Sequence, residues 1–373
     1  MEIYINVDPL QSGGIPPKHV IEKLKNYLFG YPACLYCPGD IHLVQKPNIK
    51  KLVEEELPEF MGCEVTRLHH GAREAAFTVL FSLYKHFGLE KKTHAPVLII
   101  DGNTHYSMVL AGERAMLEVC LTRVSSEPEF KVLEEDFEEK IGEVKKKYGK
   151  PPLAVLINYP DGKYGNFPNA KRIAEIAHEN GSFFIMDCAY SIGRMPFNAC
   201  NFDADVVIAS AHKSMACIGP LGIVGMSKKI AEIVTKKSKY NEKKELEFLG
   251  CSARGLPTLC LLFVMEYLRE RVKEWGKRVK IANYFVEKAE KELGFSLQGE
   301  KPHAHDLLNF STRVLYEISQ KRRDRFFVYK ELKKRGIIGI KPGITKVIKL
   351  STYLLEKKEV DFVIETFREI MGA

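Results

Sequence analysis

A chain of 373 residues, 45% hydrophobic and 28% charged, has the composition of a globular protein with room for one large domain and a smaller one. The longest apolar run, Leu259 to Met265, is too short to cross a bilayer, and the start MEIYINVDPL lacks the basic-then-apolar pattern of a secretion signal. No membrane association and a reducing cytoplasm are therefore expected, with the nine cysteines acting as thiols, ligands or catalysts rather than as a disulfide framework. Lys and Arg (56) exceed Asp and Glu (48) by eight, which favours polyanionic partners.

In chain order, residues 1–45 are rich in turn formers (Asp8-Pro9, Gly13-Gly14, Pro16-Pro17) and read as an N-terminal arm. A helix is predicted from near Gly71 through AREAAFTVLFSLYKHF to about residue 87, stopping at Gly88. Short apolar runs follow: PVLIID (96–101), LAVLIN (153–158), SFFIMD (182–187), DVVIAS (205–210) and GIVGMS (222–227). An amphipathic helix, Asn169 to Glu179, lies between two of them and is closed by Asn180-Gly181. Strands buried on both faces and alternating with helices predict an α/β domain over 46–257, its mostly parallel sheet flanked by helices. From 258 a long charged helix to 293 leads into a smaller C-terminal α+β domain ending at 373. There LLNFSTR (307–313) and VIKLST (347–352) read as strands and EVDFVIETFREIM (359–371) as a helix.

Ligands of open α/β sheets bind beyond the carboxyl ends of the strands. The residues predicted there are His105, Asn158, Asp187, and Ser210-Ala211-His212-Lys213. Lys213 ends an apolar run, where an unpaired cation is costly. Asp187 precedes it by 26 residues, about one helix-plus-strand unit, so the two can converge. A carboxylate and an amine in one cleft suit pyridoxal phosphate: the lysine anchors the aldehyde and the acid keeps the ring nitrogen protonated. Ala72 and Arg73, after His70-Gly71 at a helix start, would hold the cofactor phosphate. Asn158 would serve the ring hydroxyl, and His105 would stack on the ring.

That order of residues resembles fold-type I pyridoxal-phosphate enzymes of the cysteine desulfurase-like branch. Two absences then separate this chain from ordinary desulfurases. The 336–346 segment GIIGIKPGITK has no cysteine for a sulfur-carrying loop, and KLSTYLLEKKEVDF (349–362) has no arginine to clamp a free α-carboxylate, although Arg313 could supply one from another strand. The segments INVDPLQSGG, YPACLYC, HHGAREA, MDCAYSIGRMP, ASAHKSM and LGCSARG are together similar to the archaeal family of O-phosphoseryl-tRNA:cysteinyl-tRNA synthases. This resemblance implies conversion of O-phosphoseryl-tRNA(Cys) to cysteinyl-tRNA(Cys) by β-elimination of phosphate and addition of sulfur. It puts the cofactor lysine at Lys213 and three functional cysteines at Cys34, Cys37 and Cys251.

Those cysteines would carry a persulfide or, alternatively, hold an iron–sulfur cluster as metal ligands; the sequence leaves both open. Cys63, Cys120, Cys188, Cys200, Cys217 and Cys260 read as buried small hydrophobes. His70, Arg73 and His212 are candidates to balance the leaving phosphate. Lys321, Arg322, Arg323 and Arg325 are expected to form part of a tRNA footprint. The resemblance further implies a homodimer, and a complex with the phosphoseryl-tRNA synthetase is considered. The rival reading is a cysteine desulfurase or selenocysteine lyase acting on a free amino acid.

Overall fold

The computed structural model describes residues 4–28, 48–242, 244–248 and 255–372. Its strands are, in chain order, β1 (Ile5–Asn6), β2 (Val65–His69), β3 (Ala95–Ile100), β4 (Glu118–Leu121), β5 (Pro152–Asn158), β6 (Phe183–Asp187), β7 (Val206–Ser210), β8 (Gly222–Met226), β9 (Ser296–Leu297), β10 (Leu307–Ser311), β11 (Ile337–Ile338) and β12 (Val347–Ser351). Seven of them form the main sheet in the order β2-β8-β7-β6-β5-β3-β4. Only β8 runs against its neighbours in that sheet, so the carboxyl ends of the other six lie along one edge. The five expected central strands are all present. β2 and β4 went unforeseen because they are edge strands whose apolar pattern is broken by charge: Arg67 pairs with the buried Glu245, and the exposed Glu118 with Lys147.

Alternation along the strands feeds two cores. Val97, Ile99, Val155, Ile157, Val207 and Ala209 pack on one face, while Leu98, Ile100, Ala154, Leu156, Val206 and Ile208 pack on the other. Each fully buried branched side chain contributes about 1.5–3 kcal/mol, so a one-residue register slip would exchange the two faces.

Two helices depart from expectation. The helix starting at Ala72 does not stop at Gly88: it runs to Leu83 and continues as a π-helical turn over Tyr84–Glu90. A Cβ on Gly88 would overlap the Tyr84 ring, so this glycine serves close packing rather than termination. The long helix expected over 258–293 is instead Gly255–Arg271, a 3-10 turn Val272–Glu274, and Trp275–Leu293. The two halves face different cores. Leu259, Leu261, Val264 and Leu268 join the main sheet, whereas Ala282, Phe285, Val286 and Ala289 join the C-terminal cluster around β10 and β12.

The first residues are tied to both parts. β1 pairs in parallel with β11 and Val7 is buried in the C-terminal cluster, while Val20 and Leu24 are buried against the main sheet. Of the six cysteines expected to be buried, Cys188, Cys217 and Cys260 are. Cys63 and Cys120 are partly buried, and Cys200 is exposed on a 3-10 turn, where its thiol donates to the Gly62 carbonyl at 3.1 Å. Among the described residues no helix is long and apolar enough to cross a membrane.

One buried ion pair joins the parts. Arg194 and Asp306 have 0% side-chain exposure, with Nη1 to Oδ2 at 2.6 Å. The Arg194 Nη2 also donates to the carbonyls of Pro9 (3.2 Å) and Lys213 (3.3 Å), and Asp306 accepts from the Ser351 hydroxyl at 2.5 Å. Burial alone would raise the Asp306 carboxyl, but Arg194, His305 and Ser351 outweigh it and hold it below the usual range. Removing one partner strands the other charge in the interior. Arg194→Met should therefore cost about 3–5 kcal/mol in denaturant unfolding. Arg194→Met with Asp306→Leu should recover much of that loss; a double variant no more stable than the single one would contradict this assignment.

Candidate active site

The sheet edge collects the expected residues by register. Asn158 and Asp187 are Cα partners at the ends of β5 and β6, and Ser210 faces Gly222 across β7 and β8. Asp187 is buried; its Oδ2 accepts from Asn158 Nδ2 at 2.9 Å and its Oδ1 from the Ala189 N–H at 3.1 Å. Asn158 is itself held on both sides, with Thr104 Oγ1 donating to its Oδ1 at 2.6 Å and its backbone N–H reaching Asp101 Oδ2 at 2.7 Å. Asp101 ends β3 and is pushed up to about 8, chiefly by complete burial.

Lys213 lies in the single helical turn Ala211–Ser214 after β7. Its Nζ sits 5.2 Å from the centre of the Tyr190 ring. Burial pushes the amine down, and the nearby Asp187 offsets part of that; the Asp187 carboxyl is in turn raised by burial and lowered by Lys213. Desolvation thus outweighs attraction at both ends, lowering the amine and raising the carboxyl. The turn is braced from below: a Cβ on Gly13 would come within 2.5 Å of the Lys213 carbonyl oxygen, and one on Gly14 would overlap that of His212. Arg271, also buried, donates to the Ser214, Gly193 and Gly13 carbonyls.

At the other end, β2 delivers His69, His70 and Gly71 to the helix at Ala72. His69 Nδ1 accepts from the His70 N–H at 2.9 Å, and its Nε2 lies 3.0 Å from Thr78 Oγ1. Gly222 must be glycine, since its Cβ would overlap the Gly71 backbone and lie 2.9 Å from the Ala72 nitrogen. Gly71 itself faces open space, with nothing within 4 Å of the place a Cβ would occupy. A helix start without a side-chain cap, a buried carboxylate and a desolvated amine along one edge are groups that could hold pyridoxal phosphate, with Ala72 toward its phosphate, Asp187 toward its ring nitrogen and Lys213 toward its aldehyde.

His105 caps the helix Tyr106–Arg114 through Nδ1, which takes the Ser107 N–H at 3.3 Å, and it lies near both Lys213 and Lys349. His212 Nδ1 lies 3.3 Å from Ser210 Oγ. Ala211 is buried and its N–H is spent on the Leu221 carbonyl at 2.9 Å. The Arg73 side chain is partly exposed and pairs with Glu74, which also holds Arg114. Arg313 is not brought to the cleft: its side chain is 88% exposed, and it pairs with Glu317 on the outer face of its helix. Cys34, Cys37 and Cys251 lie outside the described residues. Tyr190, Asp101, Thr104 and Lys349 went unrecognised in the sequence. Lys349 had a readable signal, a lone cation inside the apolar run VIKLST.

With this geometry in place, comparison with known proteins decides the family. The family model described as O-phosphoseryl-tRNA(Sec) selenium transferase matches residues 69–372. The chain is 41% identical over 368 residues to the O-phospho-L-seryl-tRNA:Cys-tRNA synthase of Methanosarcina acetivorans, covering 98% of this chain and 93% of that protein. The chain belongs to the O-phospho-L-seryl-tRNA:Cys-tRNA synthase family. The protein of that name from Methanocaldococcus jannaschii is 40% identical over 370 residues, covering 99% and 95% of the two chains. A crystal structure titled as the SepCysS–SepCysE N-terminal domain complex superposes with a TM-score of 0.89 at 39% identity, covering 99% of this chain and 95% of that one. The cysteine desulfurase of Thermococcus onnurineus has the same fold, with a TM-score of 0.76 at 15% identity and 99% and 95% coverage. The architecture is that of fold-type I enzymes.

His105 and His212 are both brought down to about 4 from the ordinary 6.5, first by burial and then by the Lys213 charge. Each is neutral in the native protein at pH 7. The unfolded chain takes up those protons first as pH falls, so the stability they contribute is complete above about 6.5 and is lost as pH falls through the folded value. Their imidazole NMR signals, assigned with His105→Gln and His212→Gln, should titrate near pH 4; midpoints near 6.5 would contradict the burial described.

Proposed function

We propose that this protein converts O-phosphoseryl-tRNA(Cys) to cysteinyl-tRNA(Cys) with pyridoxal phosphate. The observation that carries this reading is identity near 40% to synthases of that name across 98–99% of the chain. The Lys213–Asp187 cleft is consistent with it. So is the absence of cysteine from the 336–346 segment, which separates the chain from desulfurases acting on free cysteine.

When bound, pyridoxal phosphate supplies an aldehyde for an amine and a ring that draws electrons from the substrate's α-carbon. The chain's residues do the rest. Lys213 holds the cofactor at rest and, once displaced by the substrate amine, its Nζ accepts the α-proton. Asp187 would face the ring nitrogen, held in orientation by Asn158 and the Ala189 N–H. His105 and His212, both neutral, add no competing charge near Lys213. The β-carbon–oxygen bond breaks with its electron pair leaving on phosphate. Hydrosulfide, or the terminal sulfur of a persulfide, forms the new carbon–sulfur bond, and the proton held by Lys213 returns to the α-carbon. With a persulfide on one of Cys34, Cys37 and Cys251, a second of these thiols releases the sulfur by closing a disulfide. An iron–sulfur cluster on the same three residues is the alternative carrier. The basic residues Lys321, Arg322, Arg323 and Arg325 would contribute to binding the tRNA backbone. A homodimer, a cytoplasmic location and association with the phosphoseryl-tRNA synthetase complete the proposal. A partner like the SepCysE domain seen with the similar crystal structure fits it too.

The test is to incubate the purified protein with phosphoseryl-tRNA and sulfide and identify the esterified amino acid. Cysteine is expected from the wild type and none from Lys213→Ala. Cys34→Ala, Cys37→Ala and Cys251→Ala should each block cysteine formation while retaining the cofactor absorbance. Release of sulfur from free cysteine, with no response to phosphoseryl-tRNA, would establish the desulfurase instead. Full activity in all three cysteine variants would remove the cysteines from the mechanism.

A further inference from the structure

We propose that Lys349 is the residue by which this site recognises the phosphate on the substrate's side chain, an ammonium delivered from the C-terminal part onto the same tyrosine ring as Lys213. The inference rests on the reaction proposed above and names the residue that would set its substrate class.

Lys349 is the middle residue of β12 and the Cα partner of Asn309 on β10. This pair docks as a unit on one turn of the large domain. Asn309 Nδ2 donates to the Lys163 carbonyl at 3.0 Å, and the Lys349 ammonium donates to the Gly162 carbonyl. Gly162 packs against Tyr190, where an added Cβ would lie 3.3 Å from Cε2. The Lys349 Nζ is consequently placed 5.7 Å from the Tyr190 ring centre, against 5.2 Å for Lys213. Both charges depress His105, so the three side chains, from three different elements, share one cleft.

Among the described residues no carboxylate oxygen lies within 4.0 Å of either amine. The acidic groups nearby are otherwise engaged. Asp161 accepts the N–H groups of Lys163, Tyr164 and Asn166, Asp8 accepts those of Leu10 and Gln11, and Asp187 accepts from Asn158 and Ala189. Arg194 adds a third cation but is committed to Asp306. Burial, with help from Lys213 and Arg194, brings Lys349 down to about 8 despite Asp161. An anion beside the Lys349 ammonium would relieve this.

The chemistry of the substrate selects which anion. An aminoacyl ester has no free α-carboxylate, so the charge left near its β-carbon is the phosphate. A single ammonium offers a point charge suited to phosphate; a guanidinium fork, which binds phosphate or carboxylate bidentately, is the group that would clamp a free α-carboxylate. The 349–362 segment has the former and lacks the latter.

The test compares binding of phosphoseryl-tRNA and seryl-tRNA to the cofactor-loaded enzyme, with cofactor affinity and unfolding midpoint measured alongside. Lys349→Gln keeps an N–H for Gly162 and removes the charge. It should weaken phosphoseryl-tRNA binding by roughly ten- to a hundredfold, leave seryl-tRNA and pyridoxal phosphate binding unchanged, and blunt competition by inorganic phosphate. Lys349→Arg should restore most of the preference. Lys349→Met carries the same comparison should the Gln variant fail to fold. An equal loss for both tRNAs would make Lys349 a docking residue only. A loss of cofactor affinity would move it to the cofactor's phosphate, and an unchanged preference would leave it no role; each of these overturns the proposal. A wild type that makes no cysteine from phosphoseryl-tRNA would instead refute the reaction, independently of Lys349.

Discussion

The site depends on the buried pair of Arg194 and Asp306. Arg194 belongs to the loop after β6, Asp306 to the approach to β10, and the guanidinium also holds the carbonyls of Pro9 and Lys213. One side chain therefore sets the N-terminal segment, the lysine turn and the C-terminal part against each other. A buried ion pair adds little net stability over apolar replacements, because desolvating both charges offsets their attraction. Its value here is positional. An apolar contact could fill the same volume but would not orient three carbonyl and carboxylate groups at once.

That arrangement has an electrical consequence. Burial dominates the behaviour of the groups in the cleft: Lys213 and Lys349 are brought down, Asp187 and Asp101 are raised, and His105 and His212 are held near 4. In each group burial works against the charged form. An enzyme that must offer a nucleophilic amine near pH 7 needs such an environment. The arm's Gly13 and Gly14 contribute by letting backbone approach backbone under the lysine turn, where any side chain would intrude.

The central sheet was legible because its strands are buried on both faces and read as uninterrupted apolar runs, from PVLIID to GIVGMS. The edge strands β2 and β4 were not, since charges such as Arg67 and Glu118 break their pattern. Gly88 misled because a glycine that stops a helix and a glycine that admits a tyrosine ring look identical in one dimension. The bend after Arg271 was hidden for a related reason: helical periodicity reports that a face is apolar, not which core receives it. Asn158, Asp187, Ser210 and Lys213 could be found because strand ends converge by topology. Lys349 could not be placed, because its strand belongs to a different sheet and reaches the cleft only through docking on Gly162 and Lys163.

The sequence by itself determined the α/β class, the strand ends that line the cleft and the lysine–aspartate pair, since these follow from hydrophobic period and chain order. Only the tertiary structure decided that Arg313 stays outside while Lys349 enters, that Asp101 and Thr104 brace Asn158, and that the first residues belong to two cores. The reason is range. Periodicity and spacing act over one or two turns of chain, whereas desolvation and ion pairing act between groups that sequence separates by more than a hundred residues.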